Sequence, residues 1–154
     1  MNLDRFLIAQ DEVFHGVTVF DAAMGELRAG AKQGHWIWFV FPQFPLGLSE
    51  TARRYAIRDA AEARAYLAHS VLGPRLEQAF AIVETALRDS ACDPRVLMAS
   101  HVDCLKLVSS ATLFGLAAEP GHQRGLLGAI TSVLDVMQRH GFAPCEKTRV
   151  LWRP

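Results

Sequence analysis

The sequence predicts an all-α fold, a compact single-domain multi-helix bundle over residues 1–154, and three observations lead to it. Apolar residues recur at three- and four-residue spacing along most of the chain, most clearly at Leu126, Ile130, Val133, Leu134 and Met137. Ser, Thr and Asp residues stand just ahead of these runs, where their side-chain oxygens cap helix N-termini. The chain has 154 residues, 51% hydrophobic and 21% charged, the balance of one domain with its own core. At this length roughly 70% of the unfolded surface is buried on folding, so no staple is required.

The elements follow in order. Phe6, Leu7, Ile8 and Val13 predict a first helix from Asp4 to about Val13, capped by Asn2 or Asp4. Thr18 heads a second, with Val19, Ala22, Ala23, Met24 and Leu27 inside and Gly30 as its stop. The run Trp36-Ile37-Trp38-Phe39-Val40-Phe41 breaks this texture: it is bulky and β-prone, and Pro42 and Pro45 close it. It reads as a short buried aromatic segment near 35–42, either extended or a short helix, and periodicity does not decide between them. Ser49 to Ile57 predicts one or two helical turns, and Asp59 with Glu62 forms a capping pair opening a helix through Leu67. After His69 and Ser70, a helix from Val71 to Leu87 tolerates Pro74 in its first turn and carries Leu72, Leu76, Phe80 and Val83 inward. Asp93-Pro94 starts a short turn of helix. Ser100 to Asp103 is a second capping pattern, opening a helix to about Ala118, and the last long helix runs from about Gln123 to His140, stopped by Gly141. The tail from Phe142 to Pro154 is expected to be irregular, with Val150, Leu151 and Trp152 docking on the body.

Charge and cysteine usage exclude several function classes. Sixteen basic residues balance sixteen acidic ones, and no basic stripe of the kind that follows a phosphate backbone is present. General nucleic-acid binding is therefore not expected. Cys92, Cys104 and Cys145 form no Cys-x-x-Cys pair, so neither a zinc site nor a disulfide framework is indicated. The opening Met1-Asn2-Leu3-Asp4-Arg5 carries no signal pattern, and no apolar run is long enough for a membrane span, so a cytoplasmic location is expected. No Gly-x-Gly-x-x-Gly, phosphate loop or Gly-x-Ser-x-Gly elbow occurs, so no cofactor is expected.

Three segments carry candidate chemistry. In the first, His35 stands beside Trp36 and Trp38 and ahead of Gln43; an imidazole suits a general base, and an indole can stack a flat ring. The bland reading is a core segment whose His35 and Gln43 bond to backbone. In the second, Asp103, Lys106 and Ser110 fall at helical spacing on one face, with Ser109 at its margin. A carboxylate, an ammonium and a hydroxyl could hold a phosphate or ribose, although Asp103 and Lys106 also make an ordinary helix ion pair. In the third, Arg53 and Arg54 beside Tyr55 could clamp an anion through their guanidinium forks, or form a solvated charged turn.

Taken together, these segments resemble the bacterial and fungal family known as domain of unknown function 1810. The carrying residues are His35-Trp36 through Phe41-Pro42-Gln43, Ser49 with Ala52 and Tyr55, Glu62-Ala63 with Ala65-Tyr66-Leu67, His69 with Val71-Leu72-Gly73, and Asp103 with Lys106 and Ser109 to Phe114. The resemblance covers nearly the whole chain, implies an all-helical fold and supplies no activity. The chain departs from the family pattern at Ser70, where proline is usual, and at Ala111, where methionine is usual. It departs again at Cys145, where an acidic residue usually stands three before the threonine, here Thr148, and the Gln10 to Val19 stretch is longer than usual.

Two functions are expected from these residues. The first is a small-molecule site, with hydrolysis as its enzymatic form, for an anionic or nucleotide-like ligand of the NAD or ADP-ribose type. Lys106 with Arg53 or Arg54 would hold the anion, Trp36 or Trp38 would stack a ring, Gln43, Ser109 and Ser110 would add hydrogen bonds, and His35 and Asp103 would do acid–base work. The second is a non-catalytic interaction or regulatory domain in which the same polar residues form an internal network.

Overall fold

The computed structural model describes residues 2–89 and 91–154. The chain enters through α1 (Asp4–Asp11), then a hairpin of β1 (Val13–Phe14) and β2 (Val17–Thr18), then α2 (Val19–Arg28). The hairpin was not expected. Its antiparallel pairs are Val13 with Thr18 and Phe14 with Val17, joined through His15 and Gly16 at φ of 52° and 79°. Two successive positive φ values match the tight turn whose twist fits paired strands, and strands of two residues are too short to show alternation. α1 accordingly ends at Asp11, short of Val13.

Thr18 caps α2 as expected, its hydroxyl accepting from the Asp21 amide at 3.1 Å. The aromatic run forms α3 (Ile37–Val40), one helical turn and not an extended segment. A strand there would need a neighbour for its backbone groups, whereas the turn satisfies them locally through Val40 N–H to Trp36 C=O at 3.1 Å. Pro42 prevents its continuation. α4 (Glu50–Arg54) follows, capped by Ser49, and α5 (Ala60–Ala68) is capped by Asp59, whose carboxylate accepts from Glu62 N–H at 2.8 Å.

His69 closes α5, and its Nδ1 accepts from the amides of Val71 and Leu72 at the start of α6 (Leu72–Arg88). Gly73 is needed at this corner, since a Cβ would collide with the Leu67 carbonyl. α7 (Pro94–Leu97) is headed by Asp93 and α8 (His101–Ala117) by Ser100, whose hydroxyl accepts from Asp103 N–H at 3.1 Å. α9 (Arg124–Arg139) completes the long helices.

α6 packs along α9 and against α2 and α5, and α8 packs against α9, α5 and α3. Phe41 meets Phe80 edge-on at 5.0 Å, and Phe6 meets Tyr66 edge-on at 5.2 Å. α8 is almost wholly buried from Leu107 to Phe114, so it is the central helix around which the others are laid. Each large apolar side chain taken fully inside contributes about 1.5–3 kcal/mol.

The tail is not irregular: α10 (Glu146–Leu151) packs on α8. Val150 and Leu151 stay exposed, while Thr148 is fully buried and Trp152 rests near Phe44, with ring centroids 6.3 Å apart. Six residues with a polar inward position carry no apolar period to read. No helix among the described residues is long and apolar enough to cross a membrane.

Candidate functional site

The site begins with α8. The spacing of Asp103, Lys106 and Ser109 brings all three to the helix side facing the loop after α2 and the start of α10. Asp103 is held between two lysines: Lys32 Nζ lies 2.8 Å from Oδ2, and Lys106 Nζ lies 3.4 Å from Oδ1. Lys32 also donates to the Gly34 carbonyl at 2.5 Å, and its side chain is only 5% exposed. Each ammonium stands over an indole, Lys32 over Trp36 at 5.1 Å and Lys106 over Trp38 at 4.1 Å. The loop carrying Lys32 is pinned from α2, where Glu26 Oε1 accepts from the amides of Gln33 and Gly34, each at 2.6 Å. The Trp36 indole N–H also points to Glu26, 3.2 Å from Oε1.

Lys106 opens into a pocket shared with Gln43, Ser109, Cys145 and Lys147, with Leu46, Val102, Leu105 and Val108 as apolar wall. α10 is tied to α8 where the Cys145 amide donates to Thr112 Oγ1 at 3.0 Å. Burial pushes the Cys145 thiol up, but the polar groups beside it, the Ser109 and Thr148 side chains and the Thr148 and Lys147 amides, pull it down. The balance holds it below the ordinary thiol value. Cys104, on the same helix as Lys106, is pushed up to about 11 by burial, against the opposing charge of Arg95 and with Asp93 and Asp103 adding to the rise.

Of the residues expected to form one site, Gln43, Lys106 and Ser109 are brought together, with Asp103 and Trp38 directly behind Lys106. The others are placed elsewhere. His35 is exposed and lines a different depression, with Glu12, Phe14, Val17 and Glu26, because the indole of Trp36 turns inward and leaves the imidazole outside. It is not in a dry environment. Trp36 is only 2% exposed, so its faces are closed to any ligand, and the Trp38 face is occupied by the Lys106 ammonium.

Ser110 is wholly buried in the core and its Oγ has no hydrogen-bond partner among the described residues. Ser109 takes its place in the pocket, its hydroxyl donating to the Leu105 carbonyl at 2.9 Å. Both serines suit the spacing from Lys106, and only the packing of α5 and α9 around α8 decides which one faces inward. Arg53 and Arg54 are exposed on the last turn of α4, where cations complement the helix dipole, and line neither the Lys106 pocket nor the depression beside His35. A wider depression between α6 and α9 holds Arg88 and Arg139, but these already pair with Glu84 and Asp135.

Sequence reasoning missed Lys32, Glu26 and Cys145. Lys32 lies in a loop between Gly30 and Gly34 that reads as a helix stop, and nothing local marks a loop lysine as buried. Cys145 did carry a signal, since it replaces the acidic residue usual before Thr148.

The class defined by this geometry is an all-helical domain with a pocket between its central helix and its last helix, lined by Lys106, Lys147 and Glu146. The profile of the family described as "Protein of unknown function (DUF1810)" matches residues 1–135, and the chain belongs to that family. Among solved structures, the chain is similar to the conserved hypothetical protein Rv1873 from Mycobacterium tuberculosis. The two share 36% identity over 97% of this chain and 95% of that one, with a TM-score of 0.77. A search of the curated proteins finds no match.

Proposed function

We propose that the pocket walled by Gln43, Lys106, Ser109 and Lys147 binds a small anionic or nucleotide-like ligand. The observation that carries this reading is charge. Two lysines share the single carboxylate of Asp103, and the shorter contact belongs to Lys32. Lys106 therefore keeps donors in excess, on the pocket side, with a side chain 20% exposed. Ser109 and Gln43 add neutral hydrogen-bonding groups, and the wall of Val102, Leu105 and Val108 suits the flat or aliphatic part of an NAD or ADP-ribose-type ligand.

Binding is favoured over hydrolysis. Both Asp103 oxygens face lysines and His35 lines another depression, so neither stands as a general base toward this pocket. The free state of all three cysteines suits the reducing cytoplasm in which we place this binding. A second reading, a non-catalytic interaction domain, is favoured by the Lys32–Asp103 pair, which braces the loop after α2 against α8 as an internal network would.

Thermal unfolding against nucleotides, NAD, ADP-ribose, sugar phosphates and simple anions separates the two. A ligand at about a hundred times its Kd adds roughly 2.7 kcal/mol, several degrees in a domain of this size. The shift is expected to vanish in Lys106→Ala and to survive in His35→Ala. A flat response to the whole panel, with Lys106→Ala strongly destabilised, would hand the pocket to the structural reading.

A further inference from the structure

Glu26 is a carboxylate with one oxygen filled and one open. Its Oε1 accepts from the amides of Gln33 and Gly34, each at 2.6 Å, and from the Trp36 indole N–H at 3.2 Å. Its Oε2 meets only that same indole N–H, at 3.4 Å. Three donors hold the side chain in one place, so Oε2 is a fixed acceptor. Glu26 enters no ion pair among the described residues. Lys32, on the loop that Glu26 pins, turns instead to Asp103, and Arg75, packed over Phe20 of the same helix as Glu26, is paired with Asp11.

Glu26 lines the depression beside His35, whose volume of about 510 Å³ lies in the range of small-molecule sites. The wall is apolar and partly aromatic, with Phe14 and Val17 from the β1–β2 hairpin, Val19 from α2 and Phe39 from α3. Phe14 is 58% exposed, so its ring stands at the rim with little packed against it. The other titratable groups of the lining are Glu12 and His35, and among the described residues no lysine or arginine belongs to it. Gly34 keeps the approach to the carboxylate clear. A Cβ there would stand 3.5 Å from Glu26 Oε2 and 2.8 Å from Cδ1 of Trp36. The φ of Gly34 is not positive, so space and not backbone conformation calls for glycine.

We infer that this depression is a second ligand site and that it takes a small arylalkyl ammonium, a single amine cation carried on a flat ring. Charge calls for the cation, since the carboxylates of Glu12 and Glu26 meet no basic chain in the lining other than the His35 imidazole. A guanidinium fork bonds both oxygens of a carboxylate, and here Oε1 is already filled. An ammonium is a point donor that needs Oε2 alone. Phe14 and Phe39 call for the ring, which they meet by stacking or edge contact. The ligand is opposite in charge to the one proposed for the Lys106 pocket, so the result of the anion panel does not decide this inference.

The test is a titration of the intact, isotope-labelled chain with phenethylamine, followed by two-dimensional NMR at about pH 7.5, where an aliphatic amine is protonated. The amides of Gln33 and Gly34 and the Trp36 indole N–H, the three donors to Glu26, are expected to shift together and to saturate. Phenethyl alcohol has the same size without the charge and should bind at least about tenfold more weakly, the worth of one hydrogen bond to a charged group. Glu26→Gln keeps an acceptor for the two amides; it should weaken phenethylamine by a similar factor and leave the alcohol unchanged. Phe14→Ala, at the exposed rim, is expected to weaken both by about three- to tenfold. That variant and the wild-type comparison of amine with alcohol stand even if Glu26→Gln does not fold. Equal binding of amine and alcohol, tighter binding of phenethylguanidine than of the amine, or no saturable shift of the three signals would each overturn the inference.

Discussion

The corner formed by Arg5 and Glu62 and the corner formed by Lys32, Asp103 and Lys106 use the same kinds of residue for different ends. In the first, one guanidinium meets one carboxylate, with Arg5 3.0 Å from Glu62 Oε1 and side chains 14% and 2% exposed. Two further groups are met by backbone, Glu62 Oε2 accepting from Arg58 N–H at 2.7 Å and Arg5 donating to the Ala56 carbonyl at 2.8 Å, while Arg5 Nε stays buried without a partner among the described residues. Charge is balanced and the corner is closed. In the second, two ammoniums share one carboxylate and the outer ammonium faces a pocket. The difference teaches that a brace and a binding site are told apart by charge balance and openness, since residue type is common to both.

The largest expected effect lies in the closed corner. Glu62→Ala leaves the Arg5 guanidinium buried without its counter-charge, and urea unfolding should show a loss of about 3–5 kcal/mol. A loss under about 1 kcal/mol, the range of surface pairs, would remove the contrast between the corners.

A smaller effect sharpens the contrast inside the open corner. Lys32→Met takes the closer partner from Asp103 and should lower stability by about 2 kcal/mol, in the range of hydrogen bonds to charged groups. Lys106→Met, at the looser contact, should cost no more than about 1 kcal/mol. Equal losses in the same unfolding experiment would mean that neither lysine is set aside for a ligand. The smallest effect belongs to α4: Arg53→Ala and Arg54→Ala should change stability by no more than about 0.5 kcal/mol and leave any ligand-induced shift in place. Loss of that shift in either variant would extend the site to α4.

The helices were legible because their signals are local. Thr18, Ser49, Asp59, Asp93 and Ser100 all cap the helices that follow them. A cap needs only a side-chain oxygen two or three residues ahead of an amide, and that relation is written in the order of residues. The hairpin at Val13–Thr18 was not legible because strands of two residues show no alternation, and the helix at Glu146–Leu151 because no capping side chain heads it. The candidate site was half legible. Gln43, Lys106 and Ser109 meet as the spacing allowed, but His35 went outward, Trp36 and Ser110 went inward, and Arg53 and Arg54 stayed in solvent.

Length, composition, capping pattern and apolar period were enough to determine the all-helical class and most helix boundaries, because each depends on neighbours along the chain. Tertiary structure alone decided which polar residues share a pocket. Asp103 reads as the carboxylate of an exposed helix pair until Lys32, seventy-one positions earlier, is brought within 2.8 Å of it. Cys145 reads as an isolated thiol until the fold lays the start of α10 on α8, where its amide donates to Thr112 Oγ1 at 3.0 Å. Such meetings join segments distant in the chain, and their energies arise from burial and charge balance in three dimensions, which no local spacing records.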